Sequence, residues 1–318
     1  MYTSPDPVQQ ALSGFGHPLV RDLAWVLLAP PLLQLPPTHC QWLDRAWCAS
    51  RFETYRHRLA DLERRPAALE QAVSAARDKR LGNYVESLLA FWLAEDPRYE
   101  LLCHDLPVRQ DTQTLGEFDF IVRNREHDTV EHWEVAMKFY LGVGDRTSPA
   151  AWLGPGLRDR LDSKTEHLLA RQTRLSEQPA GRAALAARGL RIDAVRVLMK
   201  GRLFHPLGET RQDPLGATPD HCRGWWARGD DWHARPRDPD MSWHWLRRDQ
   251  WLAPLTGQGP GLPADAVLAQ TAELTHPLCL VGCLHGEEVS RGFLVPRHWP
   301  EASRVREQSV PVIEEPAP

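Results

Sequence analysis

Residues 116–142 read GEFDFIVRNREHDTVEHWEVAMKFYLG, and the reading of this stretch decides the fold. Apolar residues recur at every second position: Phe118, Phe120 and Val122 in its first half, then Trp133, Val135, Met137, Phe139 and Leu141. A period of two sends alternate side chains to opposite faces of a strand. The stretch is therefore expected to form two strands joined by a polar turn, each with one face on the core. The opposite faces carry Glu117 and Asp119 on the first strand and Glu134, Ala136 and Lys138 on the second. An antiparallel register of odd sum sets Asp119 across from Glu134, with Cβ atoms roughly 4.5–5.5 Å apart. Like charges so placed are destabilising unless the face is well solvated or a cation relieves them.

Working outward, RDKRLGNYVESLLAFWLAEDPRY ahead of the pair reads as a helix. Leu81, Val85, Leu88, Leu89 and Trp92 form its apolar stripe, Glu86 sits on the flank beside Gly82 and Ala90, and Asp96-Pro97 ends it. YELLCHDLPVR follows as a strand. Behind the pair, GVGDRTSPAAWLGPG reads as a loop, and LRDRLDSKTEHLLARQTRLS as a helix with Leu157, Leu161, Leu168 and Leu175 on one face. Lys164 and Gln172 project from that same face. RIDAVRVLMKGRLF then alternates as a strand. The order over 77–205 is helix, three strands, helix, strand. Around it lie an N-terminal helical extension (1–76), a Trp-rich α+β region (206–300) and a tail (301–318) whose composition reads as disordered.

Composition narrows the class. At 42% hydrophobic and 25% charged residues the chain has the composition of an ordinary globular protein, and the order of its elements makes the expected class α/β. Its net charge of −4 gives no bulk signature of a nucleic-acid binder, although a local basic patch is compatible with it. Six cysteines lack disulfide-rich spacing, and the apolar run from Leu23 is broken by Pro30 and Pro31, too short for a membrane span. A reduced, cytoplasmic protein is expected. Its four lysines (Lys79, Lys138, Lys164, Lys200), set against many arginines, suggest a GC-rich bacterial genome and single out two lysines near the charged strands.

Those strands suggest a chemistry. Two facing carboxylates can share a hard divalent cation through oxygens about 2.0–2.1 Å from Mg²⁺. Such an ion lowers the pKa of bound water and stabilises charge at phosphorus. Lys138 would then hold or activate the attacking water. A solvated charged face accounts for the same alternation; Ala136, which clears space, and the inward Lys164 and Gln172 weigh toward a site.

The motifs LGNYVESLL, GEFDF, EVAMKFYLG, LGPGLRDRLDSK and RGFLVP resemble an uncharacterised bacterial family, domain of unknown function 1853, of the PD-(D/E)XK nuclease superfamily. The resemblance implies a restriction-endonuclease-like core with a four-stranded mixed sheet. It implies a metal-dependent nuclease binding Mg²⁺ or Mn²⁺ through Asp119, Glu134 and Glu86, with Lys138 catalytic and Lys164, Gln172 and Glu117 on the substrate side. The superfamily lysine is expected at Ala136; Lys138 lies two residues further along the same face. That departure motivates an alternative, an inactive nuclease fold that binds nucleic acid or protein.

Other signals are weaker. Cys279 and Cys283 with His285, His221 and Cys222 suggest zinc, but alternation on one strand favours buried thiols. His132 and His167 read as ordinary histidines beside the site, and Gly154-Pro155-Gly156 as a loop stop. The cluster Trp225, Trp226, Trp232, Trp243, Trp245 and Trp251 reads as aromatic core before a base-stacking platform. Arg158, Arg160, Arg171 and Arg174 read equally as a phosphate track or as helix-surface ion pairs.

Overall fold

Alternating apolar segments build one mixed sheet in the computed structural model, which describes residues 7–36, 38–74, 80–234, 238–257, 259–271 and 274–301. Its strands are β1 (Gln41–Trp42), β2 (Tyr99–Gln110), β3 (Gln113–Asn124), β4 (Thr129–Gly142), β5 (Trp152–Leu153), β6 (Ala194–Pro206), β7 (Arg223–Arg228), β8 (Ser242–Leu246), β9 (Leu278–Leu284) and β10 (Glu287–Val295). The path runs β2-β3-β4-β6-β7-β10-β9-β8, with β1 beside β6 and β5 beside β4. β2, β3 and β4 are antiparallel; β4, β6, β7 and β10 run parallel; β9 and β8 return antiparallel.

From Leu81 to Pro206 the expected order of helix, three strands, helix and strand is present with additions: the short strand β5 precedes helix Leu161–Ala170, and a second helix, Pro179–Ala186, follows it before β6. A sheet of four strands is not present. The end of β6 pairs with β7 from Leu203↔Arg223 to Pro206↔Trp226, and the Trp-rich region continues the same ten-stranded sheet. Local periodicity carries no signal for such a distant pairing.

Helices cover both faces. Helices Pro18–Leu28, Arg45–Arg64 and Leu81–Glu95 pack on one, where Trp25, Phe52, Leu88, Trp92, Phe120, Trp133, Leu141 and Phe293 share a core. Val85, Leu88, Leu89 and Trp92 are buried as their stripe predicts. On the other face Leu161 and Leu168 of helix Leu161–Ala170 pack against Ala136, Tyr140, Val197 and Met199. This helix makes the crossover that parallel β4 and β6 require.

Two expectations fail locally. The helix expected over 157–176 is shorter: Leu157 takes a φ of 57° in the turn before it, and after Ala170 the chain tightens into a 3₁₀ segment, Gln172–Glu177. Thr173 sits at the break, where its hydroxyl lies 3.1 Å from the carbonyls of both Leu168 and Leu169 and can donate to carbonyls that the ended helix leaves free. Phe118 does not share the core of Phe120 and Val122. It packs with Leu106, Ile121, Val130 and Leu185 on the opposite side. The β3–β4 ladder ends at Phe120↔Trp133, so the strand ahead of that point is free to turn away.

The aromatic reading of the C-terminal region holds for Trp226, Trp232 and Trp243, which are buried. Cys279 and Cys283 lie in the core beside Val281, and burial pushes both thiols up to about 12. The tail expected over 301–318 lies, apart from Glu301, outside the described residues. Among the described residues no helix is long and apolar enough to cross a membrane.

Candidate active site

The register Phe120↔Trp133 makes Asp119 and Glu134 the next facing pair, as the alternation requires. Here a side chain replaces the main chain: Asp119 Oδ2 accepts from the Val135 N–H at 2.8 Å. The two strands part around this contact. Asp119 keeps its other oxygen without a hydrogen bond among the described residues.

Glu134 is fully buried. Its Oε1 lies 2.8 Å from His132 Nε2, and its Oε2 has no hydrogen-bond partner among the described residues. His132 is equally buried, edge-on to the Phe118 ring at 4.8 Å, and burial lowers its pKa to about 3. One proton lies between the neutral imidazole and the carboxyl group, and whichever of the two carries it, the contact orients Glu134. The sequence held this signal, because residues two apart on a strand share a face.

Helix Leu81–Glu95 brings Glu86 to the same place, with Gly82 one turn before it leaving room beside the carboxylate. Burial is the first cause that pushes Glu86 up to about 7, and the charges of Asp119, Asp105 and Glu117 add to it. Asp119 is held well above the usual carboxylate range by burial and then by Glu134. Burial also takes Glu134 up to about 8, with Lys164 opposing the rise and Glu117 adding to it. Glu117 itself is exposed at the rim. Three carboxylates thus share a poorly solvated corner in which ionisation is costly.

The lysines divide their work. Lys164, from helix Leu161–Ala170, is half-buried and lies in the fields of both Asp119 and Glu134. Its Nζ donates to Gln172 Oε1 at 2.8 Å, a bond that survives the break in the helix. Burial, followed by the like charge of Lys138, lowers its pKa. Lys138 pairs with Asp159, Nζ to Oδ2 at 2.5 Å. The turn that delivers Asp159 is closed by Gly154 N–H to Asp159 O at 2.7 Å, so the Gly-Pro-Gly loop uses that N–H internally. Glu86, Asp119, Glu134, Lys164 and Gln172 therefore come together, while Lys138 is turned toward Asp159.

Around the cluster, Arg160 pairs with Asp162 and Arg174 with Glu177, whereas Arg158 and Arg171 are exposed at the two ends of the helix that carries Lys164. A hollow of about 560 Å³ lies at the far end of helix Leu81–Glu95, but the charges there are paired, Arg58 with Glu95 and Arg98 with Asp96.

A family described as Domain of unknown function (DUF1853) matches residues 21–295. The chain belongs to the DUF1853 family. The matched span takes in every residue of the cluster and the whole ten-stranded sheet. No curated protein and no solved structure matches the chain. DUF1853 thus gives the cluster a family but no chemistry.

Proposed function

We propose that this DUF1853 protein is a metal-dependent phosphodiesterase acting on nucleic acid, with a PD-(D/E)XK-type site. One observation carries the reading: Glu86, Asp119 and Glu134 are gathered at a parting of two strands, with their ionisation suppressed and an unpartnered oxygen of Glu134 buried among them. Asp119 and Glu134 each commit one oxygen to the protein and leave the other for a hard divalent cation, and since the three carboxylates do not all converge within 4.8 Å, binding the ion would have to draw them together. Asp119, Glu134 and Glu86 would hold Mg²⁺ or Mn²⁺, which when bound supplies Lewis acidity toward a phosphate and an acidified water. The order of helix, three strands, helix and strand supports the superfamily assignment.

This chain's own residues supply the rest. His132 fixes the rotamer of Glu134. The Val135 N–H fixes Asp119. Lys164, oriented by Gln172, faces the carboxylates and would neutralise charge that develops on a phosphate there. It takes the role that the sequence assigned to Lys138. Arg158 and Arg171 offer the flanking positive charge for a backbone phosphate.

A binding role without turnover rests on a different observation, the engagement of Lys138 by Asp159 in place of the strand lysine a nuclease would direct at its water. Wild type and Glu134→Ala are to be incubated with Mn²⁺ and single-stranded, duplex, branched and RNA substrates, with EDTA controls and calorimetry of Mn²⁺ binding. Cleavage by wild type alone, abolished by EDTA, supports the nuclease. Substrate binding with neither cleavage nor Mn²⁺ uptake would replace it with the binding role.

A further inference from the structure

The connection from β6 to β7 joins two parallel neighbours without a helix, and residues 207–222 form no regular element. Irregular connections longer than about 12–15 residues are uncommon in compact domains and usually serve a function. His205 stands just before this one, Asp213 in its middle and His221 at its end. His205 Nε2 lies 3.3 Å and His221 Nε2 lies 3.5 Å from Asp213 Oδ1. Ligand atoms of the three residues all fall within 4.8 Å of one another; among the described residues this is the group of His, Cys, Asp and Glu that converges so closely.

All three facing atoms are buried, and none has a hydrogen-bond partner among the described residues. Converging buried donors without partners are costly. A cation at their centre removes that cost, and the two distances to Asp213 Oδ1 match the spacing of ligands around Zn²⁺. Ligands about 2.0–2.1 Å from Zn²⁺ in a tetrahedron stand about 3.3–3.4 Å apart. The surroundings orient the ligands as metal sites require. His221 Nδ1 lies 2.6 Å from the Thr218 carbonyl; donating its proton there leaves Nε2 with the lone pair. Arg211 grips Asp213 Oδ2 through Nε at 2.9 Å and Nη2 at 2.7 Å, which leaves Oδ1 directed at the rings. Arg223 Nη2 lies 3.8 Å from the same Oδ2, and the Trp152 ring packs edge-on against His205 at 5.2 Å.

We infer that His205, Asp213 and His221 form a zinc site that clips the β6–β7 connection to the sheet, with the fourth tetrahedral position open. The site uses no thiol and shares no residue with the carboxylate cluster.

Full-length protein stripped with a chelator is titrated with Co²⁺, a spectroscopic substitute for Zn²⁺. Wild type should develop tetrahedral visible bands that saturate at about one equivalent. They should bleach on adding Zn²⁺ and should lack a thiolate charge-transfer band. The bands should disappear in His221→Ala and persist in Asp119→Ala. Arg211→Ala, a change at a half-exposed side chain, should weaken Co²⁺ binding about 10–100-fold. Absence of bands from wild type, a thiolate band, bands unchanged in His221→Ala or bands lost in Asp119→Ala would each overturn the site. The wild-type titration decides the matter even where His221→Ala does not fold.

Discussion

At the scale of single residues, the carboxylate corner makes two predictions. Glu134 holds its proton up to about 8 in the fold against an ordinary 4.5. The folded state therefore binds that proton more tightly than the unfolded chain, and the associated stability is full below 4.5 and lost as pH rises through 8. His132 acts in the opposite sense, but only below its ordinary 6.5. Glu134→Gln should flatten the slope between neutral pH and 8 and overtake the metal-free wild type at the alkaline end, and Mn²⁺ should restore wild type there. Urea unfolding at a series of pH values measures this; parallel profiles for the two proteins would refute it. The second prediction separates the lysines. Lys164→Met should lower Mn²⁺-dependent cleavage about 10²-fold or more, as loss of a charge-stabilising donor does, whereas Lys138→Met should cost less than about tenfold. Steady-state kinetics on the responsive substrate reads both, and equal losses would return Lys138 to the site. Asp119 and Glu134 were legible because period two and an odd register leave few alternatives. The role of Lys164 was legible only as a polar residue inside an apolar stripe, because which charge faces which depends on how a helix docks on a sheet.

At the scale of elements, β4, which carries Glu134, is held in place by β6, and the closeness of that pair depends on one glycine. Gly201 pairs with Lys138 at a φ of 146°, and a Cβ there would fall 1.6 Å from the Lys138 carbonyl oxygen. Neither backbone can yield without breaking the ladder. Gly201→Ala should destabilise the protein by about 3 kcal/mol or more, seen as a lower urea midpoint, and should reduce metal affinity by displacing the strand of Glu134. A near-neutral result would mean that β4 and β6 are further apart than described. The adjacent Lys200 shows why a rare residue does not always mark an active site. Fully buried, it donates from Nζ to the carbonyls of Leu27 and Ala29 and so satisfies the C-terminal end of helix Pro18–Leu28. Sequence patterning found β3, β4 and β6 because each alternates by itself, and β2 because it follows the helix stop at Asp96-Pro97. It did not find their continuation into β7, or the convergence of His205, Asp213 and His221, because no local period joins residues brought together by an irregular connection.

At the scale of the molecule, the extended sheet ties the Trp-rich region to the helices that support the site. Arg291 of β10 is the joint: buried, it pairs with Glu288 at 2.7 Å and donates to the carbonyls of Trp251 and Ala253. The Ala253 N–H in turn donates to Asp22 on helix Pro18–Leu28, and Asp22 accepts from Tyr84, in the helix that carries Glu86. A chain of buried polar contacts thus runs from the last strand to the helix at the carboxylate corner. Removing one partner of a buried ion pair leaves an uncompensated charge, so Arg291→Met should cost about 3–5 kcal/mol. Because the N-terminal helices, β3, β4 and β10 also share one core, this loss should appear in a single cooperative transition of the whole chain. Tryptophan fluorescence, which reports the C-terminal region strongly, and Mn²⁺ binding, which reports the carboxylate corner, should then fail together along the same urea curve. Two separated transitions, with Mn²⁺ binding outlasting the fluorescence change, would show instead that the span 77–205 holds its site without the strands that extend its sheet.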